Sequence, residues 1–196
     1  MNIAIIKYNA GNIYSVACAL KRLGIEANIT SDKEQLLKAD KIIFPGVGEA
    51  AMTMQHLATN GMDVFIKELK QPVLGICLGM QLMCSYSEEG NVNCLGVFDV
   101  EVKKFSPTSA QEKVPHMGWN TLNNTRSNLF KGFTQNEYVY FVHSYYVPIN
   151  EFTIAETSYI HPFSAAMQKN NFYATQFHPE KSGSVGERIL QNFLNL

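Results

Sequence analysis

Five consecutive residues carry the spacing that a reactive thiol needs. In Gly75-Ile76-Cys77-Leu78-Gly79 the cysteine stands between two glycines, each two residues away. An apolar run led by Pro72 precedes it and reads as a short buried strand. A helix-compatible stretch, Leu78 to Cys84, follows at once. This is the layout of the Gly-x-Ser-x-Gly elbow, with cysteine in place of serine. A sharp strand-to-helix turn exposes the reacting atom, and glycines tolerate strained backbone angles while keeping side chains away from it. A helix opening at Leu78 also aims free N–H groups and a positive dipole end at the sulfur, which favours the nucleophilic thiolate.

A nucleophile needs a base, and the base needs an orienting partner. The histidines are His56, His116, His143, His161 and His178. His56 lies in a helical pattern and reads as a surface residue, and His161 precedes Pro162 in a turn. His178 ends the predicted strand 172–177, within Gln176-Phe177-His178-Pro179-Glu180. The residue before a proline is held extended, and in extended chain positions i and i+2 point the same way. His178 and Glu180 are therefore expected to face one cleft, with the carboxylate fixing the imidazole tautomer. Acyl transfer also requires donors for the developing oxyanion. The Leu78 N–H is one candidate. The loop Pro45-Gly46-Val47-Gly48 offers a second, around Val47.

Each feature has a plainer reading. An isolated cysteine is usually a small buried hydrophobe, and Cys18, Cys84 and Cys94 keep that reading. His178 and Glu180 alone would be an edge-strand histidine and a surface carboxylate. A Gly-x-Gly loop alone would be an ordinary connection or a phosphate cradle, although no Walker lysine and no Gly-x-Gly-x-x-Gly fingerprint accompany it. Taken together, the three features favour catalysis. No His/Cys cluster has ligand spacing, so neither a metal nor a cofactor is expected.

The elements that must hold these groups alternate in the first half. Strand 2–8, a helix from Ile13 stopped by Gly24, strand 25–29, a helix capped by Ser31 with Glu34, and strand 41–44 precede helical stretches 49–60 and 63–69 and the elbow. This predicts an α/β fold, a parallel sheet covered by helices on both faces. Its ligand loops leave the carboxyl ends of strands. Three such loops, 9–12, 45–48 and the elbow, should cluster. The second half reads as strands 95–105, 119–122, 138–147, 152–158, 163–168 and 172–177, with a turn at 169–171 and a closing helix from Gly183. One domain over residues 1–196 is expected, with antiparallel strands added in its C-terminal half.

Composition narrows the function classes. With 196 residues, 46% of them hydrophobic, and a formal net charge of −1, the chain gives no electrostatic case for binding nucleic acid or an anionic membrane surface. It shows no apolar run of membrane-spanning length and no signal-peptide pattern at its start. Four cysteines without a C-x-x-C pair are not a disulfide framework, so a reducing cytoplasm is the expectation.

Gly75-Ile76-Cys77-Leu78-Gly79-Met80-Gln81, with Pro-Gly-Val-Gly before it and Phe177-His178-Pro179-Glu180-Lys181-Ser182 after it, resembles the class I (triad-type) glutamine amidotransferases, the flavodoxin-like α/β enzymes. Three further stretches resemble the glutaminase subunits of imidazole glycerol phosphate synthases. They are Ala10-Gly11-Asn12 with Ser15-Val16, Pro115-His116-Met117-Gly118-Trp119-Asn120, and Tyr140-Phe141-Val142-His143-Ser144-Tyr145. The likeness spans the full length, without departure at the catalytic positions. It implies that Cys77 attacks the side-chain amide of glutamine, that His178 moves protons and that Glu180 orients it. It implies a glutamine site of Gly46, Gly48, Gln81, Ser144 and Tyr145. It further implies a heterodimer with a (β/α)8-barrel cyclase that receives the ammonia for histidine biosynthesis, with Asn12, Trp119, Tyr140 and Lys181 at or near the interface. Trp119 and Tyr140 also suit core positions. The competing readings are a glutaminase for another synthase, a non-catalytic scaffold and a cysteine peptidase.

Overall fold

The computed structural model describes residues 1–8, 12–109, 111–134 and 136–196. The first half alternates as β1 (Ile3–Ile6), α1 (Ile13–Arg22), β2 (Asn28–Thr30), α2 (Lys33–Leu37), β3 (Lys41–Gly46), α3 (Ala50–Thr59), α4 (Met62–Glu68), β4 (Val73–Cys77) and α5 (Leu78–Leu82). The second half contributes β5 (Tyr86–Ser87), β6 (Val92–Asn93), β7 (Glu101–Lys104), β8 (His116–Leu122), β9 (Glu137–His143), β10 (Tyr145–Tyr146), β11 (Thr153–Ser158), β12 (Pro162–Lys169), β13 (Phe172–Thr175) and α6 (Gly183–Leu194). The main sheet runs β11-β12-β13-β4-β3-β1-β2. The pairs from β13 to β2 are parallel, whereas β11 and β12 are antiparallel. The expected parallel core with antiparallel additions is present. A four-stranded sheet, β10-β7-β5-β6, and the hairpin β8-β9 lie outside it.

Alternation along the central strands divides the core. Ile3, Ile5, Ile43 and Leu74 pack on one face with α1 and α6 residues Val16, Leu20, Ile189 and Phe193. Ala4, Ile6, Ile42 and Val73 pack on the other with Leu36, Leu57, Ile66 and Met80. Both faces are covered, which is why these strands are written as continuous apolar runs.

Several expected boundaries move for physical reasons. Asp32, not Ser31, caps α2: its carboxylate accepts from the N–H groups of Glu34 and Gln35. β2 begins at Asn28, later than the alternation from Ile25 suggests. β3 continues through Pro45 and Gly46, which pair with Ile76 and Cys77. Residues 95–100 are not a strand, because the N–H groups of Leu95, Gly96 and Phe98 donate to the carbonyls of Leu82, Cys84 and Met83 and so close the end of α5. The expected strand 138–147 breaks at Ser144, where the chain leaves the β8 pairing and joins β7. The turn at 169–171 is as expected, with Asn170 at φ 54°.

Candidate active site

Cys77 ends β4 with φ 55° and ψ −109°, a conformation that L-residues rarely adopt. Here the strain sits on the cysteine itself, not on its glycine neighbours. Ile76 and Cys77 consequently pack in the same cluster, breaking the alternation that separates Val73 from Leu74. Gly75 and Gly79 serve close approach instead. A Cβ on Gly79 would lie 2.0 Å from the Phe44 carbonyl oxygen, and one on Gly75 would meet Met83 Sδ at 2.9 Å. Gly46 is a third such position, with Gly79 N 2.6 Å from its would-be Cβ. The β3 end and the elbow are in backbone contact. The helix after the elbow has five residues, shorter than the expected run to Cys84, so the Leu78 N–H acts with little macrodipole behind it.

His178 follows β13. Its N–H donates to Tyr140 O at 2.9 Å, and its carbonyl accepts from Ser182 Oγ at 2.6 Å. Its Nδ1–H donates to Glu180 Oε1 at 2.7 Å, with the two side chains nearly inaccessible. The expected pairing is made, but by a different route. Pro179–Lys181 form a 3-10 turn, so Glu180 curls back to the ring rather than pointing alongside it in extended chain. α6 packs tightly on this turn: a Cβ on Gly186 would lie 1.9 Å from Pro179 O. Burial alone would push the His178 proton affinity down. The nearby Cys77 sulfur and the hydrogen-bonded Glu180 carboxylate override it and push it up to about 10. A proton on the imidazole and a negative charge on the sulfur favour one another, and a thiolate is the nucleophilic form of cysteine.

The sulfur has two further contacts. Sγ lies 3.8 Å from Val142 O, and the Gln176 Nε2–H donates to Sγ at 3.8 Å. Tyr8, at the end of β1, donates its hydroxyl to Pro45 O at 2.5 Å, and burial and then Cys77 raise its proton affinity. This anchors the Pro-Gly-Val-Gly segment to the chain that follows β1.

A cavity of about 340 Å³ opens over Cys77. Val47, Gly48, Cys77, Leu78, Gln81, Ser144, Tyr145, His178 and Lys181, all singled out by the sequence, line it. Gly46 does not; it is buried in β3 opposite Cys77. Asn12, expected near a partner surface, is 7% exposed and donates its amide to Glu180 Oε1. The rest of its loop, 9–11, lies outside the described residues. Trp119 is 55% exposed and meets half-buried Tyr140 edge-on, ring centres 6.0 Å apart. Cys18 is exposed, contrary to the buried reading, whereas Cys84 is fully buried and Cys94 partly so.

Sequence reasoning missed four contributors. Glu89 lines the cavity; its carboxylate accepts from Ala50 N at 3.0 Å and its proton affinity is raised by burial. Tyr8 and Gln176 are the others on the sulfur side. Gln176 was within reach of the sequence, since it sits two residues before His178 in the same extended segment. The fourth is His143, whose Nδ1–H donates to Tyr145 O at 2.6 Å. Its Nε2 must then accept from His116 Nδ1–H, 3.0 Å away, and His116 Nε2 from Asn120 Nδ2–H at 3.3 Å. Burial holds both rings neutral, at about 3 for His143 and about 4 for His116. A larger depression of about 560 Å³ over Lys7, Ser31, Lys33 and His56 contains no cysteine and no carboxylate to pair with its histidine, so size does not identify the site.

Thiol, imidazole and carboxylate thus converge beside one cavity, and the family model "Glutamine amidotransferase class-I" matches residues 4–196. The chain belongs to the class-I glutamine amidotransferases. Within that family it is 72% identical to the imidazole glycerol phosphate synthase subunit HisH of Bacteroides fragilis (strain YCH46), each chain covered fully. It is 46% identical to the subunit HisH of Escherichia coli (strain K12), again with full coverage of both. Among solved structures, PurLQS from Thermotoga maritima superposes with a TM-score of 0.70 at 16% identity, covering 99% of this chain and 97% of that one. That likeness concerns the fold alone. This amidotransferase is a glutamine-using enzyme, and its relatives are named as subunits of a larger synthase.

Proposed function

We propose that this amidotransferase is the cytoplasmic glutaminase subunit of an imidazole glycerol phosphate synthase, paired as a heterodimer with a (β/α)8-barrel cyclase. The reading is carried by the buried Cys77, His178 and Glu180 series opening into a cavity that ends at Gln81, Ser144 and Tyr145. The Cys77 sulfur attacks the amide carbon of glutamine, and a C–S bond forms. The oxyanion is held by the Leu78 N–H and by a backbone N–H around Val47. His178 passes its proton to the departing nitrogen, the C–N bond breaks, and ammonia leaves a glutamyl thioester. Water, deprotonated by His178, then releases glutamate and restores the thiol. Glu89 is the carboxylate suited to the α-ammonium group of the substrate. The cyclase uses the ammonia to make imidazole glycerol phosphate and AICAR in L-histidine biosynthesis.

The β8-β9 hairpin supports a partner surface. Trp119, Met117 and Tyr138 are exposed by 55%, 63% and 55%, large apolar groups on one hairpin, with Trp119 against Tyr140. The test is glutamate release from glutamine with and without the cyclase and its nucleotide substrate. Strong stimulation in the complex, abolished by Cys77→Ala, is expected. Hydrolysis unaffected by Cys77→Ala overturns the site, and stimulation only by a different ammonia-using synthase overturns the partner.

A further inference from the structure

We infer that Gln176 is a positioning residue of the reaction, whose side-chain amide locks Gln81 in register with the Cys77 sulfur and donates an N–H that favours the thiolate. The inference rests on Cys77 being the nucleophile.

The two amides are oriented by their neighbours. Gln81 Nε2 lies 3.1 Å from Tyr145 O and 3.0 Å from Gln176 Oε1. A backbone carbonyl only accepts, so the Gln81 atom facing Tyr145 must be the NH₂ group. The same nitrogen then spends its second hydrogen on Gln176, which must present oxygen. This turns the Gln176 NH₂ group toward Cys77, where it lies 3.8 Å from Sγ. One carbonyl, that of Tyr145, thereby sets the direction of both amides. Gln81 Oε1 is left without a role in the series and is the free acceptor for a bound substrate.

Burial makes the arrangement consequential. Gln176 is 0% exposed, so its amide cannot exchange its partners for water. The sulfur stands between opposed neighbours. Val142 O, 3.8 Å away, can only accept, and it therefore favours the protonated thiol. The Gln176 N–H can only donate, and its contact strengthens as charge develops on sulfur. Without it, the thiolate would face a carbonyl dipole and lose the one side-chain N–H that donates to it. The backbone of Gln176 is fixed independently, its N–H donating to Ala165 O at 2.8 Å.

Other ionisable groups around the sulfur are His178 and Glu180 on the turn after β13, Tyr8 after β1, and Glu89, His143, Tyr145 and Lys181 at the cavity. None of them contacts Gln176 by hydrogen bond. An uncharged replacement of Gln176 that moves the titration of Cys77 therefore reports the loss of its N–H.

The test uses the intact complex in a Cys18→Ser background, since Cys18 is the exposed thiol. Alkylation of Cys77 by iodoacetamide is followed by peptide mass across pH, alongside kcat and KM for glutamine. In Gln176→Met, the alkylation midpoint should rise by about one pH unit and kcat should fall about tenfold or more, the range for losing a hydrogen bond to a charged group. Gln176→Glu keeps an acceptor for Gln81 but replaces the N–H. It should retain KM within about threefold while lowering kcat about as far as Gln176→Met does. An unmoved alkylation midpoint in both variants overturns the inference. So does wild-type kcat in Gln176→Glu. If Gln176→Met does not fold, Gln176→Leu, which likewise removes the N–H without adding charge, takes its place. Failure here, with Cys77→Ala inactive, leaves the glutaminase reading standing; failure of that reading shows as activity in Cys77→Ala.

Discussion

Substituting Gly79 by alanine tests whether the site depends on backbone contact between β3 and the elbow. The added methyl would stand 2.0 Å from the Phe44 carbonyl oxygen, where ordinary contact begins at 3.4 Å, so something must move by about 1.4 Å. β3 is hydrogen-bonded on both sides, to β1 and to β4, and has little freedom. α5 must yield instead, and it carries the Leu78 N–H and Gln81. Overpacking of this kind costs about 1–3 kcal/mol. At about 2–4 °C per kcal/mol for a chain of this size, the melting temperature should fall by roughly 2–12 °C. Displacing catalytic groups by about 1 Å costs on the order of a hundredfold in rate, so kcat for stimulated glutamate release should drop at least that far. Gly24→Ala is the matched control. Gly24 has φ +79° and nothing within 4 Å of a would-be Cβ, so alanine there brings strain alone, about 1–2 kcal/mol, without moving the site. The assay pairs glutamate release in the complex with thermal unfolding of both variants. If Gly79→Ala keeps kcat within about threefold while melting like Gly24→Ala, the close approach is not what positions the nucleophile.

Glu180→Gln should lower turnover less than Cys77→Ala, because the amide still accepts from His178 Nδ1–H and only the charge is lost; equal losses would contradict an orienting role. The raised affinity of His178 also has a stability consequence. A proton held more tightly in the folded state stabilises it below about 6.5 and is lost as pH rises through about 10, so the melting temperature should decline across that window and decline less in Glu180→Gln. His116 and His143 act in the opposite direction. Their folded affinities, about 4 and about 3, lie below the ordinary 6.5, so the unfolded chain takes up protons first and stability falls as pH drops below about 6.5. Urea midpoints at neutral and acid pH should show this loss, and His143→Gln should reduce it; an unchanged acid slope would refute the assignment. Trp119→Ala should weaken the cyclase complex about tenfold or more and leave unstimulated hydrolysis within about twofold, as titration of the partner would show, whereas unchanged affinity removes Trp119 from the interface.

How much of this was legible in the sequence depends on the range of each interaction. The elbow, the alternating strands and helices, and the pairing of His178 with Glu180 are short-range patterns, and they were readable as such. What was misread is the cause behind a correct pattern. Gly79 looks like a residue chosen for turn angles, yet Cys77 carries the positive φ and Gly79 is small because Phe44, 35 positions earlier, passes beside it. Glu180 looks like an i+2 partner in extended chain, yet a 3-10 turn stabilised by Pro179 and packed under Gly186 brings it back to the ring. Asn12 reads as a surface residue because a loop asparagine carries no mark of burial; only the folded sheet brings it to Glu180. Gln176 shows the limit most clearly. Its type and position are visible in the chain, but its meaning lies in which way an amide faces, and that is set by the Tyr145 carbonyl acting through Gln81. A motif thus reports that a nucleophile is present, while the polarity of the groups around it is decided by contacts between strands and loops far apart in sequence.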